Sequence, residues 1–242
     1  MCASPPIALI GCRVLEKEIA ALLRDSRHVV SREFFEIGLH DQPGVLRGRL
    51  AAAIARAEAN PAVESVVLVY GLCGLALAQL APARCRLVVA RAHDCVALFL
   101  GSKERYAACL RAQPGTYWYS PGWNRDRRVA GPEREAYLRE RYTAQFGSED
   151  AEALLEMERA TFGHYTTAAH TDLGLPDDEP HRRYTQQCAQ WLGWRYEHHA
   201  GDPRLLHDLL HGPWDDERFL VVHPGQRIAH TADERIIGAV PA

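Results

Sequence analysis

The chain has 242 residues, a formal net charge of −3 and seven cysteines. That length buries a sizeable core without covalent staples, and the cysteine content lies well below the ~8–10% of a disulfide scaffold, so reduced thiols are expected. No run approaches the roughly 18–20 apolar residues of a membrane span. Leu9-Ile10-Gly11-Cys12 imitates a lipoprotein cleavage site, but it lacks preceding basic residues and a long apolar stretch, so export is rejected. A cytoplasmic protein with no membrane partner is therefore predicted. Arginines are scattered among acids, which removes the electrostatic footprint of a nucleic-acid binder. A small-molecule substrate or a protein partner is expected instead.

In chain order, an apolar run at 6–12 reads as a buried strand. Leu15, Ile19, Leu22 and Leu23 then recur at helical spacing. Glu33–Gly38 reads as a short strand, and Pro43 opens a helix carrying Leu46, Leu50, Ile54 and Ala57. A strand at 64–70 leads through Gly71-Leu72-Cys73-Gly74 into an expected short helix. A strand at 86–91 leads through His93-Asp94-Cys95 into a helix that carries Val96, Leu98, Leu100 and Tyr106. Thr116–Tyr119 reads as a fifth strand, ending in Ser120-Pro121-Gly122-Trp123.

Residues 131–161 carry a helical pair, and 163–180 read as loop. A helix near 181–192, a strand at 194–199, a helix at 203–211 and a strand at 218–222 follow. Alternating strands and helices imply an α/β fold, with an open, mostly parallel Rossmann- or flavodoxin-like sheet. The helical stretch is an insertion and the tail a C-terminal βα extension that either continues the first sheet, as part of the same domain, or forms a half-domain facing it, with segments at 1–128, 129–180 and 181–242.

Cys12, Cys73 and Cys95 each stand where a buried strand ends. In strand order 2-1-3-4-5 those strands are immediate neighbours about 4.8 Å apart, so the three tips span roughly 10 Å. Soft thiolates at such an edge point to an iron–sulfur cluster or zinc, with helix N-termini after Cys73 and Cys95 expected to favour the thiolates. Any one of these cysteines taken singly reads better as core packing, and only their joint placement singles them out. Cys2, Cys85, Cys109 and Cys188 lack that placement and read as structural or incidental.

Tyr70, Arg91 and His93 are the candidate catalytic groups around the thiols. Arg13, Gly71, Gly74, Ser120 and Trp123 are candidate substrate contacts, and Asp94 reads more simply as a helix N-cap. His198 and His199 alternate across a strand and cannot share one site. His207 and His211 read as surface histidines.

Gly11-Cys12, Tyr70-Gly71-Leu72-Cys73-Gly74, Arg91-Ala92-His93-Asp94-Cys95 with Leu100-Gly101-Ser102, and Tyr119-Ser120-Pro121-Gly122-Trp123 occur in a characteristic order. Over most of residues 6–160 they resemble the bacterial and archaeal family catalogued as domain of unknown function 1638. The resemblance implies no established reaction. It does imply association with corrinoid-dependent methyl transfer from methylamines or betaines, and hence a corrinoid protein or methyltransferase as partner.

The leading expectation is a [4Fe-4S] enzyme with Cys12, Cys73 and Cys95 as ligands and an open iron for a small substrate. One alternative is a zinc-thiolate enzyme with His93 as fourth ligand, activating a thiol or methyl donor. Another is a non-catalytic accessory protein of a corrinoid methyltransferase system.

Overall fold

The structure is a computed structural model in which residues 5–242 are described, so Cys2 lies outside them. The fold is mixed α/β, and the chain forms two compact units, 1–105 with 202–242, and 106–201.

In the first unit β1 (Ile7–Cys12), β2 (Val29–Phe35), β3 (Ser65–Val69) and β4 (Arg86–Ala90) form a parallel sheet in the order β2-β1-β3-β4. Every residue of β1 and β3 is buried, which is why these strands read as continuous apolar runs rather than as alternation. A single 3-10 turn follows β1 and leads into α1 (Glu16–Leu22). The long α2 (Pro43–Glu58), opened by its proline, lies against β1 and β3 through Leu46, Leu50 and Ile54. The helix expected from 95 onward is two helices, α3 (Cys95–Leu100) and α4 (Lys103–Ala112). Gly101 separates them at φ 78, with the Asp202 side chain only 2.6 Å from where a Cβ would sit.

The fifth place in the sheet, expected for Thr116–Tyr119, belongs to the C-terminal β8 (Phe219–Val222), which runs antiparallel to β4. Periodicity identifies a strand but not its neighbours, and the βα alternation hid this exchange. Helix α9 (Arg204–His211) packs Leu205, Leu206, Leu209 and Leu210 inward against β3 and β4. A hairpin of β9 (Gln226–His230) and β10 (Ile237–Pro241), not foreseen from sequence, completes the unit.

Arg91 locks this C-terminal segment in place. Its side chain is 1% exposed, and its guanidinium donates to Asp216 Oδ1 at 2.8 Å, to the Asp216 carbonyl at 2.9 Å and to the Ile237 carbonyl.

In the second unit β5 (Thr116–Tyr119), β6 (Thr167–Asp172) and β7 (Arg195–Ala200) form a separate parallel sheet with β6 in the middle. Strand β6 lies inside the stretch expected as loop. It is completely buried, yet Thr, Ala, His and Asp give it no apolar run. Short α5 (Pro121–Arg125) and α8 (Glu179–Leu192) pack together, and α8 covers β6 and β7. The expected helical pair is α6 (Pro132–Phe146) and α7 (Ser148–Thr161). Tyr119, Val129, Ala168, Tyr184, Cys188 and Ala189 make the core, with Trp123 and Trp194 against it.

Asp172, 2% exposed, organises the polar face of this sheet. Arg182 grips both its oxygens at 2.7 and 2.8 Å, the Gly174 N–H donates at 2.9 Å, and His198 Nε2 and His170 Nε2 stand 3.0 and 3.3 Å away. Burial pushes the carboxyl up, but the Arg182 bridge, the nearby His170 imidazole and the Gly174 hydrogen bond outweigh it, so its pKa lies well below the ordinary range.

Two predictions follow from these anchors. Arg91→Ala leaves buried carbonyls without donors and should cost about 2–4 kcal/mol, read as a lower urea midpoint together with faster proteolysis of the β9–β10 hairpin. An unchanged midpoint would remove the clamp role. Because the folded-state pKa of Asp172 is depressed, its stabilisation is fully present above the ordinary carboxylate value of about 4 and is lost as pH falls below it. Tryptophan fluorescence, with Trp118, Trp123, Trp191 and Trp194 all in the second unit, should show a drop in urea midpoint below pH 4 that Asp172→Asn flattens.

Candidate functional site

The loops after β3 and β4 meet backbone to backbone. Leu72 N–H donates to the Ala92 carbonyl at 2.8 Å and Cys73 N–H to the His93 carbonyl at 3.1 Å, which prolongs strand pairing beyond the strand ends. Gly71 makes the approach possible, since a Cβ there would stand 2.4 Å from Asp94 Cα. Its missing side chain accommodates protein backbone rather than the ligand expected from sequence.

The chain then bends sharply. Cys73, Gly74 and Leu75 have φ values of 45, 62 and 70°, and left-handed backbone costs a non-glycine residue about 1–2 kcal/mol. The short helix expected after Cys73 is absent, and turns occupy 73–79. Arg47 holds the Leu75 carbonyl at 2.9 Å.

The three cysteines converge at this crossing. Cys12 ends β1, Cys73 follows β3, and Cys95 opens α3, whose N-cap Asp94 accepts from Val96 N–H at 2.9 Å. The Cys95 thiol lies within interaction distance of both Cys12 and Cys73. The Cys12 contact lowers its pKa, but the Cys73 contact and burial prevail, so the thiol lies well above its ordinary value. Helix α3 has barely more than a turn and a half, so its N-terminus does little to offset the burial of this sulfur.

Tyr70 stands beside these sulfurs, 3% exposed, with a hydroxyl that has no hydrogen-bond partner among the described residues. Burial first, then the Cys12, Cys95 and Cys73 sulfurs, raise its pKa. A buried hydroxyl without a partner is costly and calls for an explanation.

The remaining candidates disperse. His93 and Gly74 are exposed beside the crossing, and Arg13 is exposed after Cys12. Arg91 has its donors committed to Asp216 and the C-terminal carbonyls, so a catalytic role gives way to a structural one. Ser120 caps α5 by accepting from Trp123 N–H at 3.3 Å, and Trp123 packs on the core of the second unit. Neither belongs to the sheet that carries the cysteines.

Cys85 donates to the Val63 carbonyl at 3.2 Å, and Cys188 packs 2.6 Å from where a Gly131 Cβ would be. His207 and His211 stack at 4.4 Å, and His211 bonds Ser26 at 3.0 Å. His198 and His199 part as strand alternation requires, towards Asp172 and Glu197 respectively. Sequence reasoning passed over His170, Asp172 and Glu197. The first two lie in a stretch with no strand signal, and the third gains meaning only from its neighbours.

Three soft donors, with Cys95 beside both Cys12 and Cys73 and next to a partnerless hydroxyl, suit a thiophilic metal centre by their chemistry. No group of three or more His, Cys, Asp or Glu side chains among the described residues is arranged as a ready-made metal site. Loading would therefore require deprotonation and rotation of the thiols. Gly71→Ala tests the crossing itself. Its Cβ would meet backbone that cannot swing aside, so a loss of about 1–3 kcal/mol or more is expected, with Cys73 and Cys95 alkylated faster. A variant as stable as wild type would refute the crossing.

No helix among the described residues is long and apolar enough to cross a membrane. Neither the curated proteins nor the solved structures searched gave a match. The profile of the family described as "Protein of unknown function (DUF1638)" matches residues 34–210, which include β3, β4 and the loops bearing Tyr70, Cys73 and Cys95. With well over half its length matched, the chain belongs to the DUF1638 family.

Proposed function

We propose that the protein is a metalloenzyme in which Cys12, Cys73 and Cys95 ligate a [4Fe-4S] cluster and that it acts on a small molecule. The observation that carries this reading is the approach of Cys95 to both Cys12 and Cys73, three thiols from three neighbouring strand ends. Left-handed backbone at Cys73 and Leu75 supports it, because strain of this kind persists where a side chain must be aimed. Held by Cys12, Cys73 and Cys95, such a cluster would supply Lewis-acid chemistry for an oxygen- or nitrogen-bearing substrate.

The chain supplies the rest. Buried Val69, Tyr70 and Leu72 exclude water from around the thiols. The Tyr70 hydroxyl, protonated because burial raises its pKa, offers a hydrogen bond to a substrate oxygen. His93, exposed at the mouth, exchanges a proton with that substrate. Methylated amines and betaines are the first substrates to try, following the gene associations of the family.

Cys95 must lose a proton to ligate, so metal uptake should release protons and weaken as pH falls. Anaerobic reconstitution with iron and sulfide should give a brown protein with stoichiometric iron. Cys73→Ser should abolish loading, whereas Cys188→Ser should leave it unchanged. His93→Ala should keep the cluster and lower turnover by roughly 10²–10⁴-fold. Zinc taken up in place of iron would favour the zinc-thiolate alternative. Failure to take up either metal, with tight co-purification of a corrinoid protein, would overturn the enzyme reading in favour of the accessory role.

A further inference from the structure

The second unit carries a different thiol in different surroundings. In the register of its sheet, Trp118 pairs with Ala169, Ala169 with Glu197, and Thr171 with His199. Strand alternation puts Trp118, Thr171, Glu197 and His199 on one face and His170, Asp172 and His198 on the other. Cys109 of α4 stands on the first of these faces, its Sγ 4.0 Å from His199 Nδ1.

The hydrogen-bond pattern fixes the roles. Glu197 Oε2 lies 3.2 Å from His199 Nε2, and an ionised carboxylate only accepts, so Nε2 carries the ring hydrogen. Nδ1 is then the basic nitrogen, and it is the one facing the thiol. Arg195 binds the other carboxylate oxygen of Glu197 at 2.6 Å and is itself held by Gln113. The His199 ring rests on Trp118 with centroids 5.1 Å apart. A nucleophile, a base and an orienting carboxylate thus stand in sequence, with the base and the carboxylate each held by a neighbour.

A second observation points to a ligand. Thr171 is 0% exposed, and its hydroxyl has no partner among the described residues, nor does the buried Trp118 Nε1. Both project from the sheet face that carries His199. Two unpartnered buried donors on one face are costly unless something accepts from them. Cys109 itself is partly exposed.

We propose that Cys109, His199 and Glu197 form a thiol–imidazole–carboxylate site that attacks an electrophilic carbonyl carbon, such as that of a thioester or activated ester. The Sγ proton passes to His199 Nδ1, sulfur bonds the carbonyl carbon, and the π pair moves onto oxygen. On collapse, the leaving alkoxide or thiolate departs with its bonding pair and takes the proton from His199. Water then cleaves the Cys109 acyl thioester by the same route, with His199 accepting a proton from water and returning it to the departing sulfur. No electrons are exchanged with an outside donor, and the site works independently of the three-cysteine centre. Glu197 and Arg195 are positioning residues.

The test uses the full chain and the same thiol as its own reference. Iodoacetamide alkylation of Cys109 at pH 7, followed by peptide mass spectrometry, should be about tenfold or more faster in the native protein than in urea, where only a few per cent of the thiol is ionised. His199→Ala should bring the native rate down to the unfolded one. Glu197→Gln keeps the size and fold, should lose most of the acceleration, and guards against failure of the first variant to fold. Incubation with p-nitrophenyl acetate should place acetyl on Cys109 in wild type and not in His199→Ala. A native rate no faster than the unfolded rate, an unchanged rate in both variants, or fast alkylation without acetyl transfer would each overturn the proposal.

Discussion

The arrangement of the first unit depends on one backbone crossing, that of Gly71 against Asp94. Parallel strands pair only along their length, and the loops beyond usually diverge into their crossover helices. Here two hydrogen bonds, Leu72 to Ala92 and Cys73 to His93, carry the pairing past the strand ends. The absence of a side chain at residue 71 lets the second loop lie directly on the first. Cys73 and Cys95 are brought together by that contact, and Cys12 joins them because β1 is the next strand in the sheet. The cost appears immediately downstream as three consecutive left-handed residues.

The second sheet solves a different problem. Its central strand is buried but polar, so every hydroxyl, imidazole and carboxylate on it must be matched by a neighbour. One face does much of this through Asp172, whose charge is shared among Arg182, His198 and the Gly174 N–H with His170 close by. The opposite face leaves Thr171 Oγ1 and Trp118 Nε1 unmatched beside His199. A single residue step along β7 therefore separates an imidazole used for structure from one with a basic nitrogen facing a thiol.

Burial sorts the cysteines as well. Cys85 and Cys188 sit among packing neighbours, and burial pushes their thiols up. Cys95 is raised too, by a mixture of thiol contacts and burial, so a cation would have to displace its proton. Cys109 keeps partial exposure and a histidine in reach. A count of cysteines along the chain distinguishes none of these surroundings.

What the amino-acid sequence by itself determined was local. Apolar runs at β1, β3 and β4 declare buried parallel strands, Pro43 marks the start of α2, and Asp94 is recognisable as an N-cap, because each of these signals acts within a few residues. Strand-end position singled out Cys12, Cys73 and Cys95 before any contact was known. Only the tertiary structure decided that β5 leaves the first sheet and that β8 replaces it, since every strand offers the same backbone donors and acceptors to any neighbour. It likewise turned Arg91 from a candidate catalyst into a clamp, by surrounding it with carbonyls from residues more than a hundred positions away. Strand β6 and the pairing of Cys109 with His199 were invisible in the sequence for the same reason: their meaning comes from what packs against them, and local pattern carries no record of that.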